Sequence, residues 1–310
     1  GEVDAWLPAE RAPASVAEQL VAEVLCVTPP RVATDDHIHR WLGLPLWQVV
    51  HARSALLEAG TIDARGHWLA APRPWPQHLA RKVVELAVHS DDLQDDLIPA
   101  VRCCADPTLQ TTWWGRRSAQ GDRASAEEAL AAAPPAMHAA ACARAAELAV
   151  RALDLDRAAT LTQELRTRAV TTQAPQALFD AELLTARLCI ARGQLDASAQ
   201  PFAEARRLAE SHLDPDAVAR VDGLHGQVLA ATGQTSEARR CLQRAAEGPD
   251  AHSRAIALVG LGMLEAQTGN FASAANLHDR ALTATRDLGD RDASARVLNN
   301  LGASAERIGW

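Results

Sequence analysis

Small and apolar residues recur at helical spacing through the second half of the chain, with glycines marking off the segments. The clearest stretch runs from Ala255: Leu258, Leu261 and Gly262 share one helical face, Gly269 closes the helix, and Ala274 and Ala281 mark the facing side of a second helix. A glycine followed five residues later by a small residue returns at Gly233/Ala238 and Gly193/Ser198. In this register copies start near Ala139, Phe179, Ala219, Ala255 and Ala295, which are 40, 40, 36 and 40 residues apart. The copy from Ala219 carries Gly226, Gly233, Ala238 and Ala245; the copy from Phe179 carries Ala186, Gly193, Ser198, Phe202 and Ala205. A worn copy from Ala139 keeps Ala146, Ala158 and Leu165, and the last shows Leu301, Gly302 and Gly309. Each copy predicts two antiparallel helices. Small residues let them approach, and a glycine takes the left-handed conformation that ends the first. The alternative is an irregular alanine-rich bundle. The last copy has Val297, Leu298 and Leu301 on its first helix and stops at Trp310, so its apolar stripe lacks a partner helix and the repeats are expected to continue in a longer protein.

The first hundred residues have a different grammar. After an extension over residues 1–14, Ser15 to Val27 reads as an amphipathic helix closed by Pro29 and Pro30. Asp35 or Asp36 caps a second helix that runs through Trp41 to Gly43. Pro45 opens a third, with Trp47, Val50, Ala55, Leu56 and Leu57 on its buried side. Thr61-Ile62 and His67-Trp68-Leu69, joined by Asp63-Ala64-Arg65-Gly66, then read as a short hairpin. Three helices and a hairpin describe a winged helix over residues 15–72. Residues 73–136 are helical sequence without a clear register, interrupted by Pro107, Gly115, Gly121 and Pro134-Pro135, and read as a connector to repeats over 137–310. The expected fold is mainly α: a winged helix followed by an α-α superhelix.

The small residues at the eighth, twentieth and twenty-seventh positions of each copy resemble the tetratricopeptide repeat, although the large aromatics of that pattern are mostly missing. The run LGLPLWQVVHARSALLEAGTID resembles the winged-helix domain that follows the ATPase core in STAND-type signalling NTPases, including large LuxR-type regulators. The later WPQHLARKVV resembles the helix after the wing in those proteins. The resemblance implies a non-catalytic sensing arm: the repeats bind a partner, and the winged helix relays occupancy to an NTPase core outside these residues. It also implies ATP as a ligand of the wider protein. Neither that core nor a LuxR-type DNA-binding domain is in this sequence.

Composition narrows the chemistry. The net charge is −8, which lacks the broad positive field of nonspecific nucleic-acid binding. Lys82 is the sole lysine and sits in Ala-Arg-Lys-Val-Val, so there is no P-loop. Cys26, Cys103, Cys104, Cys142, Cys189 and Cys241 form no CxxC pair and read as reduced thiols. No run of 18 apolar residues occurs and no signal peptide is visible, so a cytoplasmic protein is expected. His37 and His39, two apart on a helix, point about 200° apart and do not converge on a metal. No cofactor, metal or catalytic constellation is expected. On the third helix Gln48, His51, Arg53 and Ser54, with Arg65 in the wing, are a thin set for reading DNA, with Glu58 and Asp63 close by. DNA contact is therefore disfavoured against packing within the protein. A transcription factor controlled by its repeats and a passive scaffold are the alternative functions.

In the tetratricopeptide family the second, fifth, sixth, ninth, twelfth and thirteenth positions face the concave surface, where peptides bind. Carried over, these are Leu183, Leu184, Arg187, Leu224, Gln227, Val259, Met263, Gln267, Asn299, Asn300 and Arg307. The run LNNLG over 298–302 resembles kinesin-light-chain-like repeats, in which asparagines hydrogen-bond a peptide backbone; bonds from Asn299 and Asn300 to neighbouring helices are the even alternative. Trp113 and Trp114 are a candidate docking site, weighed against one buried and one half-covered ring.

Overall fold

The computed structural model describes residues 15–27, 33–58, 62, 77–90, 93, 95–287 and 291–307, and the chain divides into two compact units, residues 1–141 and 142–310. Among the described residues no helix is long and apolar enough to cross a membrane.

In the first unit, α1 (Val16–Val27), α2 (Asp35–Leu42) and α3 (Leu46–Glu58) pack on one another. Val21, Leu25, Ile38, Trp41, Val49 and Leu56 form their shared core. The expected hairpin lies outside the described residues apart from Ile62, which is buried in the same core. Two sequence expectations are corrected here. The cap of α2 is Thr34, whose side chain accepts from the His37 N–H; Asp35 instead takes the Arg53 guanidinium at 2.9 Å. The inward face of α3 is Val49, Ala52 and Leu56, while Trp47, Val50 and Leu57 are exposed at 68%, 44% and 45%. Side chains three and seven residues apart share one side of a helix, and that side meets α1 and α2.

The connector contains α4 (Gln77–Ser90), α5 (Ile98–Cys103), α6 (Pro107–Ala119) and α7 (Arg123–Ala132). Pro107 opens α6 rather than breaking it, with the Asp106 carboxylate accepting from the Thr108 and Leu109 N–H groups at 3.0 and 3.2 Å. Gly115 lies within α6 and does not interrupt it. Gly121, at φ 97°, turns the chain into α7, and Ala126 five residues on is buried. That is the glycine-to-small spacing of the repeats, so α6 and α7 form a further hairpin of the same kind. Trp113 and Trp114 are both buried, 0% and 4% exposed, which removes them as a docking site. Adjacent rings can both be covered because α6 meets α7 as well as α4 and α5. The two rings meet edge to face at 4.8 Å, and Arg117 lies over Trp113.

The second unit takes the end of α8 (Pro135–Arg151) from Cys142 onward, then α9 (Leu155–Thr172), α10 (Pro175–Ala191), α11 (Ala199–His212), α12 (Pro215–Ala231), α13 (Thr235–Glu247), α14 (Ala251–Gln267), α15 (Phe271–Asp287) and α16 (Arg291–Arg307). Each even-numbered helix up to α14 leads into its odd-numbered partner through a left-handed residue: Leu153 (φ 58°), Gly193 (72°), Gly233 (81°) and Gly269 (82°). Five residues later Ala158, Ser198, Ala238 and Ala274 are wholly buried, and seven beyond those Leu165, Ala205, Ala245 and Ala281 are as well. Such closeness is what the small side chains permit. First helices of neighbouring hairpins also touch, α12 on α14 and α14 on α16, which makes a tandem stack.

His278 of α15 is 2% exposed in this stack and lies against Gly262 of α14 and Ser304 of α16. Burial lowers its pKa below the ordinary histidine value, against the pull of the Val259 and Asn300 carbonyls. His225, packed on Phe202, is lowered for the same leading reason. With folded pKa values below the unfolded value of about 6.5, the unfolded chain binds more protons in that window, so stability falls as pH drops through it. The melting temperature is expected to fall between pH 7.5 and 5.5, and to fall less in His278→Asn. An unchanged slope in that variant would contradict the assignment.

Candidate peptide groove

One groove of 530 Å³ runs across the first helices of successive hairpins, taking residues from α8, α10, α12, α14 and α16, with Thr285 of α15 also lining it. Its apolar surface comes from Val150, Leu224, Ile256, Val259, Met263 and Val297. Amides come from Gln227, Asn299 and Asn300. Gln227 is partly committed, since its amide donates to the Ile256 carbonyl at 3.0 Å and ties α12 to α14. The side chains of Asn299 and Asn300 make no hydrogen bond among the described residues, and Asn299 is exposed.

At the α8 and α10 side, Glu147 gathers three guanidiniums: Arg144 at 3.0 Å, Arg187 at 3.1 Å and Arg151 at 3.4 Å. Burial would raise the Glu147 pKa, but the three arginines, Arg187 foremost, outweigh it and hold the carboxyl below its ordinary value. Asp180, on the same helix as Arg187, is pushed the other way by burial.

Of the candidate residues, Arg187, Leu224, Gln227, Val259, Met263, Asn299 and Asn300 come together in this groove. Gln267 and Arg307 line a separate cleft of 280 Å³, whose wall shares Met263 and Asn300 with the groove; there Arg307 lies over the Phe271 ring at 6.0 Å. Leu183 and Leu184 reach neither. Leu183 is packed in the core with Phe179 and Phe202, and Leu184 is 5% exposed. Glu147, Val150 and Arg151 were missed, yet they hold the ninth, twelfth and thirteenth positions of the copy from Ala139, so the register already contained them. Ile256 and Arg296, at second positions, were missed likewise.

The described cysteines, Cys103, Cys104, Cys142, Cys189 and Cys241, are free thiols. Burial pushes Cys142 up to about 11, so it carries no thiolate at neutral pH.

No family model matches this chain, and no curated protein matches it in sequence. Solved structures match it in fold. NprR in complex with its cognate peptide NprX aligns with a TM-score of 0.57 at 12% identity, over 88% of this chain and 83% of that one. A Pyrococcus horikoshii STAND protein with a tetratricopeptide repeat sensor aligns at 0.48 and 9% identity, over 93% of this chain and 53% of that one. Yeast Tom70 aligns at 0.47 and 13% identity, over 97% and 62%. With the NprR alignment and the hairpin geometry together, the fold of this chain is a tetratricopeptide-like array of paired helices.

Proposed function

We propose that the chain is a non-catalytic interaction module whose groove binds a peptide segment of a partner protein. The observation that carries this reading is one groove across five first helices, with apolar side chains in its lining and two uncommitted asparagine amides. An extended or helical peptide needs that combination: apolar contact for its side chains and donor–acceptor groups for its backbone. NprR, similar in fold, was solved with a bound peptide, which supports the same reading.

The first unit fits the relay role implied by the STAND resemblance. Its α3 presents Leu46, Trp47, Val50 and Leu57 outward, an apolar face suited to a protein domain, while Arg53 is held by Asp35. In this proposal a winged helix built on α1 to α3 contacts an NTPase core elsewhere in a longer, cytoplasmic protein, and ATP is that core's ligand.

Peptides selected from a random display library against the whole chain should bind with micromolar affinity. Met263→Trp, which fills the groove without adding charge, should weaken them at least about tenfold, with the circular dichroism spectrum unchanged. Enriched peptides that bind the Met263→Trp variant as tightly, or no enrichment at all, would sink the groove assignment.

A further inference from the structure

The groove is charged against the grain of the molecule. The chain as a whole carries −8, yet Arg151, Arg187 and Arg296 line the groove against the single carboxylate of Glu147. The amide side chains beside them are neutral, and among the described residues no other acidic side chain lines it.

Arg187 and Arg151 each place one terminal nitrogen on the same Glu147 oxygen, Oε1, at 3.1 and 3.4 Å. A guanidinium carries five N–H donors, so donors remain on both for a further acceptor. Asp180 also acts on Arg187 through space, but its carboxylate is engaged by Gln176 at 3.2 Å and Arg220 at 3.8 Å. The two groove arginines are about a quarter and under a half exposed, at 24% and 45%. Glu147 thus fixes two half-sheltered guanidiniums in position without using them up, which lowers the ordering cost of engaging another carboxylate. Arg296 adds a cation from α16.

Resting on the peptide-groove reading, we infer that the ligand is an acidic peptide: apolar side chains over Leu224, Ile256 and Val259, and a flanking carboxylate on Arg187 and Arg151. A short segment that joins apolar residues to a flanking Asp or Glu supplies that chemistry. Glu147 is the internal competitor for the same guanidiniums.

The test uses fluorescein-labelled peptides with one shared Leu/Ile/Val core and flanks of glutamate, glutamine or lysine, read by anisotropy on the whole chain. Glutamate-flanked peptides should bind about tenfold or more tighter than lysine-flanked ones, the gap narrowing with salt. Arg187→Gln should erase most of that preference; if it fails to fold, Arg151→Gln, which removes the other guanidinium assigned to the flanking carboxylate, reads the same effect. Glu147→Gln keeps a side-chain oxygen that accepts from Arg187 and Arg151 but removes the competing charge, so it should lower thermal stability while tightening the glutamate set about threefold or more. Equal affinity for all three sets, with binding still lost in Met263→Trp, would overturn the acidic-peptide inference and leave the groove standing. Weaker glutamate binding in Glu147→Gln would overturn it as well. Binding by no set, or binding indifferent to Met263→Trp, would overturn both.

Discussion

Valine in place of Gly262 is expected to destabilise the second unit by about 3 kcal/mol or more, whereas valine in place of Gly302 is expected to change stability by less than about 0.5 kcal/mol. The two glycines hold the same eighth position in successive copies, on α14 and α16. A Cβ on Gly262 would lie 2.5 Å from Nε2 and 2.6 Å from Cδ2 of His278, while one on Gly302 meets nothing within 4 Å. His278 has little room to yield, being 2% exposed between α14 and α16. Overpacking a close-packed interior forces side chains off their rotamers and pushes helices apart, and that cost exceeds the modest gain in helix propensity on leaving glycine. Urea melts of both variants measure the contrast. Similar losses at the two positions would mean that helix propensity, rather than contact with α15, decides the effect.

Asp222→Ala is expected to cost about 3 kcal/mol. Asp222 is 1% exposed on α12, and its carboxylate receives Arg206 of α11 at 2.6 Å and Arg244 of α13 at 2.8 Å. One buried carboxylate therefore joins three consecutive helices. Removing it leaves two guanidiniums directed at an empty site. Because they are 34% and 46% exposed, partial rehydration keeps the loss near the lower end for a broken buried pair. Glu204→Ala, which breaks the exposed pair with Arg207 on one helix, serves as the control and should cost little. Equal, small losses in the two variants would show that the Asp222 cluster behaves as surface charge.

The hairpins were legible in the sequence because their close approaches demand particular residues. Only a small side chain fits where Ala158, Ala238 and Ala274 lie buried, and glycine is favoured where the chain turns left-handed. Leu153 shows the limit of that signal: it holds a φ of 58° at a turn where the other copies place glycine, which is why the first copy reads as worn. The α6–α7 hairpin is hidden for a related reason. Trp114 stands at the eighth position, where the other hairpins carry small residues, and with Trp113 beside it the adjacent large rings suggest a surface feature until helices on several sides of α6 are known to cover them.

On α3, hydrophobic identity misled. Trp47 and Leu57 are among its more apolar side chains, but burial follows the phase of Val49, Ala52 and Leu56. In the groove the register found Arg187, Gln227 and Met263, all at ninth positions, and Glu147 holds the same position one copy earlier. The positional rule failed at Leu183 and Leu184. There the inward positions of α10 are consumed by packing, Leu183 lying in the core with Val221 of the next first helix, α12. Whether an inward position faces solvent depends on how closely successive first helices approach, and one copy read alone does not contain that distance.

The most direct test of the central claim is a crystal structure of the whole chain with a selected peptide bound. The account predicts peptide density along α10, α12, α14 and α16, with side chains against Leu224 and Val259 and backbone groups within hydrogen-bonding distance of Asn299 or Asn300. Density on the second helices, α11, α13 and α15, or on the first unit instead, would contradict it.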